Sequence, residues 1–377
     1  MLFRSFALSL HKIGCTRKQK ENGFSLLFRS FALSLRRMRK LALLLMAAVL
    51  LMGGCSVGGN ERHDIEDDGY RMVCKVRTTT VRDQGDSELC WVYAMLSTIE
   101  SERLAMGDSV CLSADYLARM LIADKGRRCQ LSGKMPGMRG MAQTAVTMMM
   151  RYGMMPHGSY HAREGMSYRA LKRKVAVMAR QRTTFRKFDT MLGDLLDREI
   201  GYLPRAVYML GAEYTPVEFA HSVCLPDDWM AVTSFTHHPY GERFVLETPD
   251  NVLADSFLNV RLDTMMAWIE RSLMQGHPVC WEGDISEPGF SMDKGTAVLE
   301  GMTPRIDSRM RQLAFERRET TDDHCMELIG IATDARGRKF FVAQNSWGIT
   351  GRYGGYILMS DSYMRLKTIA VMIKAGT

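Results

Sequence analysis

Cys90 is the residue around which a reaction could be built. After it, Trp91, Ala94, Met95, Thr98 and Ile99 recur at i, i+3, i+4, i+7 and i+8, the spacing of one buried helix face. This predicts a core helix with Cys90 in its first turn and Asp86 or Ser87 as its cap. Free N–H groups and the positive dipole end at such a position favour the thiolate, the nucleophilic form of cysteine. Gln84, on the loop entering the helix, places a side-chain amide near the sulfur, and an amide donor is what a developing oxyanion needs. The chemistry implied is sulfur attack on a carbonyl. A lone helical cysteine is more often an inert buried side chain, so this reading needs partners.

Two distant stretches supply them. Asp323-His324-Cys325-Met326 opens an apolar run through Ile331, and Phe341 to Gly348 follows a charged turn at Asp334-Ala335-Arg336-Gly337. The pattern predicts a strand with His324 near its start, a hairpin, and a second strand ending in Asn345-Ser346-Trp347-Gly348. Gln84…Cys90-Trp91, a distant His324 and Asn345-Ser346-Trp347-Gly348 resemble the papain-like cysteine peptidases, in which Cys, His and Asn occur in this order. The stretches 137–160, 277–286 and 354–364 resemble the branch containing bleomycin hydrolase and bacterial aminopeptidase C.

The resemblance implies an α+β, papain-like two-lobed fold, with a helical lobe, an antiparallel β-barrel-like lobe and a helical insertion. Across 73–377 the expected parts are the helical lobe at about 73–160, the insertion at about 161–255 and the β lobe at about 256–377. It also implies peptide-bond hydrolysis on a peptide or protein substrate through Cys90, His324 and Asn345, with Gln84 at the oxyanion, and without metal or cofactor. Gly140 would line the substrate cleft, or be a plain loop glycine. The family usually has Gly two positions before the nucleophile, where this chain has Glu88; that carboxylate would favour a basic substrate residue or obstruct the cleft. The aminopeptidase branch carries a C-terminal arm in the cleft. This chain stops at Thr377, just past the expected last strand at Thr368 to Lys374, so endopeptidase action stands beside aminopeptidase action. Two other readings remain: a membrane-anchored papain-like protein that binds peptides with little turnover, and an acyltransferase using an amine acceptor. The branch also suggests homo-oligomers.

The elements that must position these groups are legible in part. Ser113 caps a predicted helix, and Met141 to Tyr152 form another that stops at Gly153. Helical periods continue at Tyr168 to Arg180, Phe188 to Glu199 and Leu262 to Leu273, and Val279-Cys280-Trp281 starts a strand. The methionine runs read as adaptable core packing. His221 and the pair His237-His238 have no acidic or cysteine partner at a fixed spacing and read as surface residues.

The net charge of +8 is no sign of nucleic-acid binding. Residues 1–54 hold ten Lys and Arg against Glu21 alone, and the remainder carries 40 basic and 41 acidic residues. Within this leader, Leu2 to Leu10 recurs as Leu27 to Leu35, so 1–37 reads as an upstream extension that is not physiological. From Met38 onward, Arg39-Lys40, an apolar run to Met52 and Gly53-Gly54-Cys55 resemble a bacterial lipoprotein signal, with Cys55 lipidated. This implies an exported lipoprotein of the cell envelope, at the outer membrane or cell surface. Residues 55–72 read as a polar tether. Six further cysteines of the mature chain could pair in an oxidising compartment, in no order that spacing reveals.

Overall fold

The computed structural model describes residues 63–376 apart from 182, 210 and 302–304. The described residues belong to one compact unit, 61–377. The leader, its repeat and Cys55 lie outside the described residues.

β1 (Arg71–Lys75) is followed by α1 (Cys90–Ala105), α2 (Ala114–Ser132), α3 (Ala142–Tyr152), α4 (Tyr168–Ala179) and α5 (Phe185–Glu199). A small hairpin of β2 (Val207–Met209) and β3 (Ala212–Tyr214) leads to α6 (Pro216–Val223), β4 (Trp229–Thr233), β5 (Arg243–Val245) and β6 (Ser256–Asn259). Then come α7 (Leu262–Met274), β7 (Val279–Gly283), β8 (Phe290–Ser291), β9 (Thr296–Ala297) and α8 (Ser308–Glu316). The chain closes with β10 (His324–Thr333), β11 (Lys339–Gln344), β12 (Tyr356–Ser360), α9 (Asp361–Lys367) and β13 (Thr368–Lys374).

One large sheet runs β5-β6-β4-β13-β7-β10-β11-β12-β9-β8, with β1 also paired to β10. Successive strand residues face opposite ways, and the sheet uses both faces. On β13, Ala370 and Met372 join the helical core with Trp91, Met95 and Met149, whereas Val371 and Ile373 pack with Leu262, Met266 and Ile269 of α7. Such two-sided burial explains why β10 is apolar without alternation. The expected helical and β lobes are therefore both present.

Three local expectations need correction. The β lobe starts well before residue 256, because β4 pairs antiparallel with β13 in the middle of the sheet. The insertion is thus shorter than 161–255, and its helical periods hid a five-residue strand with four buried positions. The composition of 55–72 predicts a tether, yet the chain is fixed from His63, whose N–H donates to the Arg352 carbonyl at 3.3 Å. Asp68 accepts from Arg352 and, at 2.7 Å, from the Tyr353 hydroxyl; these bonds hold its carboxyl well below the usual range against burial. Finally, neither Asp86 nor Ser87 caps α1. Its N-cap is Leu89, with no side-chain bond. Asp86 instead accepts from the Ser167 hydroxyl at 2.7 Å, and the Ser87 hydroxyl donates to the Gln84 carbonyl at 2.6 Å.

Ser113 caps α2 as expected, its hydroxyl accepting from the Tyr116 N–H at 3.0 Å. The seven described cysteines are all free. Among the described residues no helix is long and apolar enough to cross a membrane.

Candidate active site

The loop before α1 is laced to the segment after β11. The Gln84 N–H donates to the Ser346 carbonyl at 2.8 Å, the Gly348 N–H to the Arg82 carbonyl at 3.0 Å, and Asp83 bridges Trp347. These backbone bonds bring together residues far apart in sequence. Cys90 then opens α1 on one side, and β10 and β11 present His324 and Asn345 on the other.

His324 is buried, and its Nε2 meets the Asn345 Oδ1 at 2.8 Å. The same oxygen accepts the Ser346 N–H at 2.7 Å, which fixes the amide with its oxygen toward the ring. Nε2 is therefore the protonated nitrogen of a neutral ring, leaving Nδ1 to serve Cys90. Trp347 lies against the imidazole, with centroids 4.8 Å apart and planes at 37°.

The Cys90 thiol is held well below its ordinary range by a hydrogen bond from the Cys325 thiol and by the His324 ring, which together outweigh burial. In return, bonds to Cys90 and Asn345 raise His324 against burial. Both shifts favour a thiolate–imidazolium pair. Cys325 itself is pushed well above the thiol range, first by burial and then by Cys90, so it stays a neutral donor.

The Gln84 amide is anchored to both sides of the laced loop. Its Nε2 donates to the Ser87 carbonyl at 3.0 Å and its Oε1 accepts from the Ser346 hydroxyl at 2.7 Å. These two bonds fix the orientation of the amide, its oxygen toward the Ser346 hydroxyl and one of its hydrogens toward the Ser87 carbonyl.

The two candidate substrate-binding residues have structural duties. A Cβ on Gly140 would stand 3.0 Å from the Trp91 ring, whose Nε1 donates to the Met138 carbonyl at 3.1 Å. The glycine makes room for that ring. Glu88 neither points freely into the cleft nor lacks a counter-charge: it accepts the Met138 N–H at 2.6 Å and pairs with Lys172 at 3.0 Å.

Cys325 and Glu282 carry no signal in the motifs. Glu282 lies opposite Cys325 across the β7–β10 pairing and is pushed well above the carboxylate range by burial, then by Asp322 and Cys90. A charged residue inside the buried run Val279–Gly283 is the one sequence feature that could have marked it. Nearby, Arg139 pairs with Asp250 at 2.6 Å and donates to the Asp322 carbonyl at 2.5 Å. Burial and Asp322 push Asp250 up to about 6.

Residues 206–376 match the Peptidase C1-like family. Aminopeptidase G of Lactobacillus delbrueckii subsp. lactis is 26% identical over 44% of this chain and 40% of its own length. Aminopeptidase E of Lactobacillus helveticus is 25% identical over 41% of this chain and 38% of its own. The matched stretch thus spans less than half of either relative. The crystal structure of PepW from Lactobacillus rhamnosis HN001 superposes with a TM-score of 0.65 at 17% identity, covering 88% of each chain. The C-terminal part of the chain is thus similar in sequence to the Peptidase C1-like family and to two bacterial aminopeptidases, and the chain shares the fold of PepW.

Proposed function

We propose that this chain is a cysteine peptidase that hydrolyses peptide bonds through Cys90, His324 and Asn345, with Gln84 at the oxyanion. The observation that carries this reading is the buried imidazole, held at Nε2 by the Asn345 Oδ1 at 2.8 Å and facing a depressed thiol at the start of a core helix. The Cys90 sulfur attacks the carbonyl carbon, and the carbonyl electrons move to an oxygen received by the Gln84 amide and the Cys90 N–H. His324 gives its Nδ1 proton to the amine as the C–N bond breaks, leaving a thioester. Water, deprotonated by the same nitrogen, then releases the acid and regenerates the thiolate–imidazolium pair. Asn345 keeps the ring in the tautomer and orientation both steps need.

Aminopeptidase action is the finer reading, supported by the names of the two relatives. Peptides with free and blocked N-termini separate it from endopeptidase cutting: equal kcat/KM on both would set aminopeptidase action aside and leave the peptidase reading intact. The peptidase reading itself is tested at the sulfur. Cys90→Ala is expected to abolish turnover and active-site labelling by a thiol-directed inactivator, and Cys224→Ala, at a buried thiol pushed up to about 12, to preserve both. Turnover retained in folded Cys90→Ala would overturn the assignment. The pattern at 38–55 supports a further proposal, export with a lipid on Cys55, for which palmitate incorporation lost in Cys55→Ala is the test.

A further inference from the structure

His237 and His238 are not the solitary surface residues their sequence context suggests. They sit on the turn after β4, where neighbouring side chains usually diverge, yet both rings reach Glu247 just beyond β5. The His238 Nε2 stands 2.7 Å from Oε1 and the His237 Nε2 3.2 Å from Oε2. One ligand atom from each of the three residues falls within 4.8 Å of the others. The side chains of the two histidines are only 29% and 33% exposed.

The surroundings hold both rings in place. The Nδ1 of His237 meets the Gln312 side chain, 3.0 Å from its nitrogen and 3.4 Å from its oxygen. Gln312 is itself set by the Thr236 N–H at 2.7 Å and by Glu316 at 2.9 Å. His238 stacks on Phe244, with centroids 4.0 Å apart and planes at 23°. Beneath the turn, the buried Asn259 side chain accepts from the Phe235 N–H and donates to the carbonyls of Phe235 and His238, all within 2.9 Å. The backbone is clamped and the His238 ring is stacked; with Nε2 of His237 on an ion its Nδ1 carries the proton, and the Gln312 Oε1 at 3.4 Å is the acceptor within reach that metal-binding imidazoles require.

We propose that His237, His238 and Glu247 form a binding site for a divalent transition metal of the zinc class, which ties the segment after β5 to the turn after β4. Two imidazoles and one carboxylate suit zinc, with water completing the shell, whereas magnesium and calcium prefer oxygen ligands. Small shifts around an ion exchange the present His–Glu hydrogen bonds for metal–ligand bonds near 2 Å, on the order of the usual zinc distances. The clamp has a reason to exist. Three residues after Glu247, Asp250 pairs with Arg139 and takes the Asp322 carboxylate on its N–H at 3.2 Å, two positions before His324.

The test uses the folded Cys90→Ala protein, so that the nucleophile cannot bind the probe. Zinc is titrated calorimetrically and cobalt is followed by absorption. The expected result is one site of micromolar or tighter affinity whose cobalt complex shows visible ligand-field bands and lacks the near-ultraviolet band of thiolate ligation. Glu247→Gln, an exposed near-isosteric change, is expected to weaken zinc at least tenfold, as is His238→Ala where circular dichroism shows it folded. Unchanged zinc affinity in Glu247→Gln, a thiolate band, or binding only at millimolar zinc would overturn the proposal.

Discussion

Glu327→Gln gives the sharpest test of the electrostatics beneath the site. Glu327 lies on β10, fully buried between the sheet and α1, and directly opposite Gln344, the residue before Asn345. Its Oε2 accepts from the Ser97 hydroxyl at 2.5 Å, and Gln344 Nε2 donates to that hydroxyl at 3.1 Å. The buried Ser101 hydroxyl lies close enough to the carboxyl to oppose the effect of burial, yet among the described residues neither it nor Glu327 Oε1 completes a hydrogen bond of full geometry. Burial pushes the Glu327 carboxyl from 4.5 up to about 7. Between those values the folded protein keeps a proton that the unfolded chain has released, so stability falls as pH rises from about 4.5 and the loss is complete above about 7. A shift of this size is worth about 3 kcal/mol at 1.36 kcal/mol per unit. Glutamine keeps the acceptor toward Ser97, offers a donor toward Ser101 and does not ionise. Urea unfolding at pH 5 and pH 8 is the assay, comparing variant with parent at each pH so that other titrations cancel. The variant is expected within about 0.5 kcal/mol of the parent at pH 5 and to gain about 1–3 kcal/mol at pH 8. The same difference at both pH values would refute the reasoning.

Other consequences are equally open to measurement. Cys325→Ala removes the foremost group depressing the Cys90 thiol, so the pH at which iodoacetamide inactivation becomes half-maximal is expected to rise; an unmoved profile would mean that His324 alone sets the thiolate. Asn345→Ala frees the imidazole at Nε2 and is expected to lower kcat roughly 10²-fold with little change in KM, as the loss of ring positioning for proton transfer predicts. Gly140→Val drives a branched side chain into the Trp91 ring and is expected to cost about 1–3 kcal/mol in urea unfolding. Glu88→Ala leaves the Met138 N–H without its acceptor and is expected to cost about 1 kcal/mol while leaving the ratio of kcat/KM for Lys and Leu peptides unchanged. A changed ratio would return Glu88 to the substrate cleft.

Short-range patterns of the chain were legible because the forces behind them are local. A 3.6-residue period placed α1, α3 and α7, a charged turn at 334–337 joined β10 to β11, and Ser113 announced the cap of α2. The order of Gln84, Cys90, His324 and Asn345 was readable through its resemblance to the papain-like pattern, which offered them as candidate oxyanion donor, nucleophile, base and orienting amide. The strand β4 was not, since five residues beside α6 and a 3-10 turn carry no long alternation of their own.

Tertiary structure decided what those residues meet. Backbone pairing between 82–84 and 346–348 joins the loop before α1 to the segment that carries Asn345, and strand register sets Glu282 opposite Cys325. Glu88 looked free to read a substrate until Lys172 arrived from α4, and His237 and His238 looked unpartnered until β5 carried Glu247 back to them. In each case the side chain's chemistry belongs to the sequence, but its pKa, its partner and its direction come from groups that only the closed fold brings within hydrogen-bonding distance. Spacing along the chain encodes the faces of single helices and strands; which faces meet is settled by the burial and pairing of the whole unit.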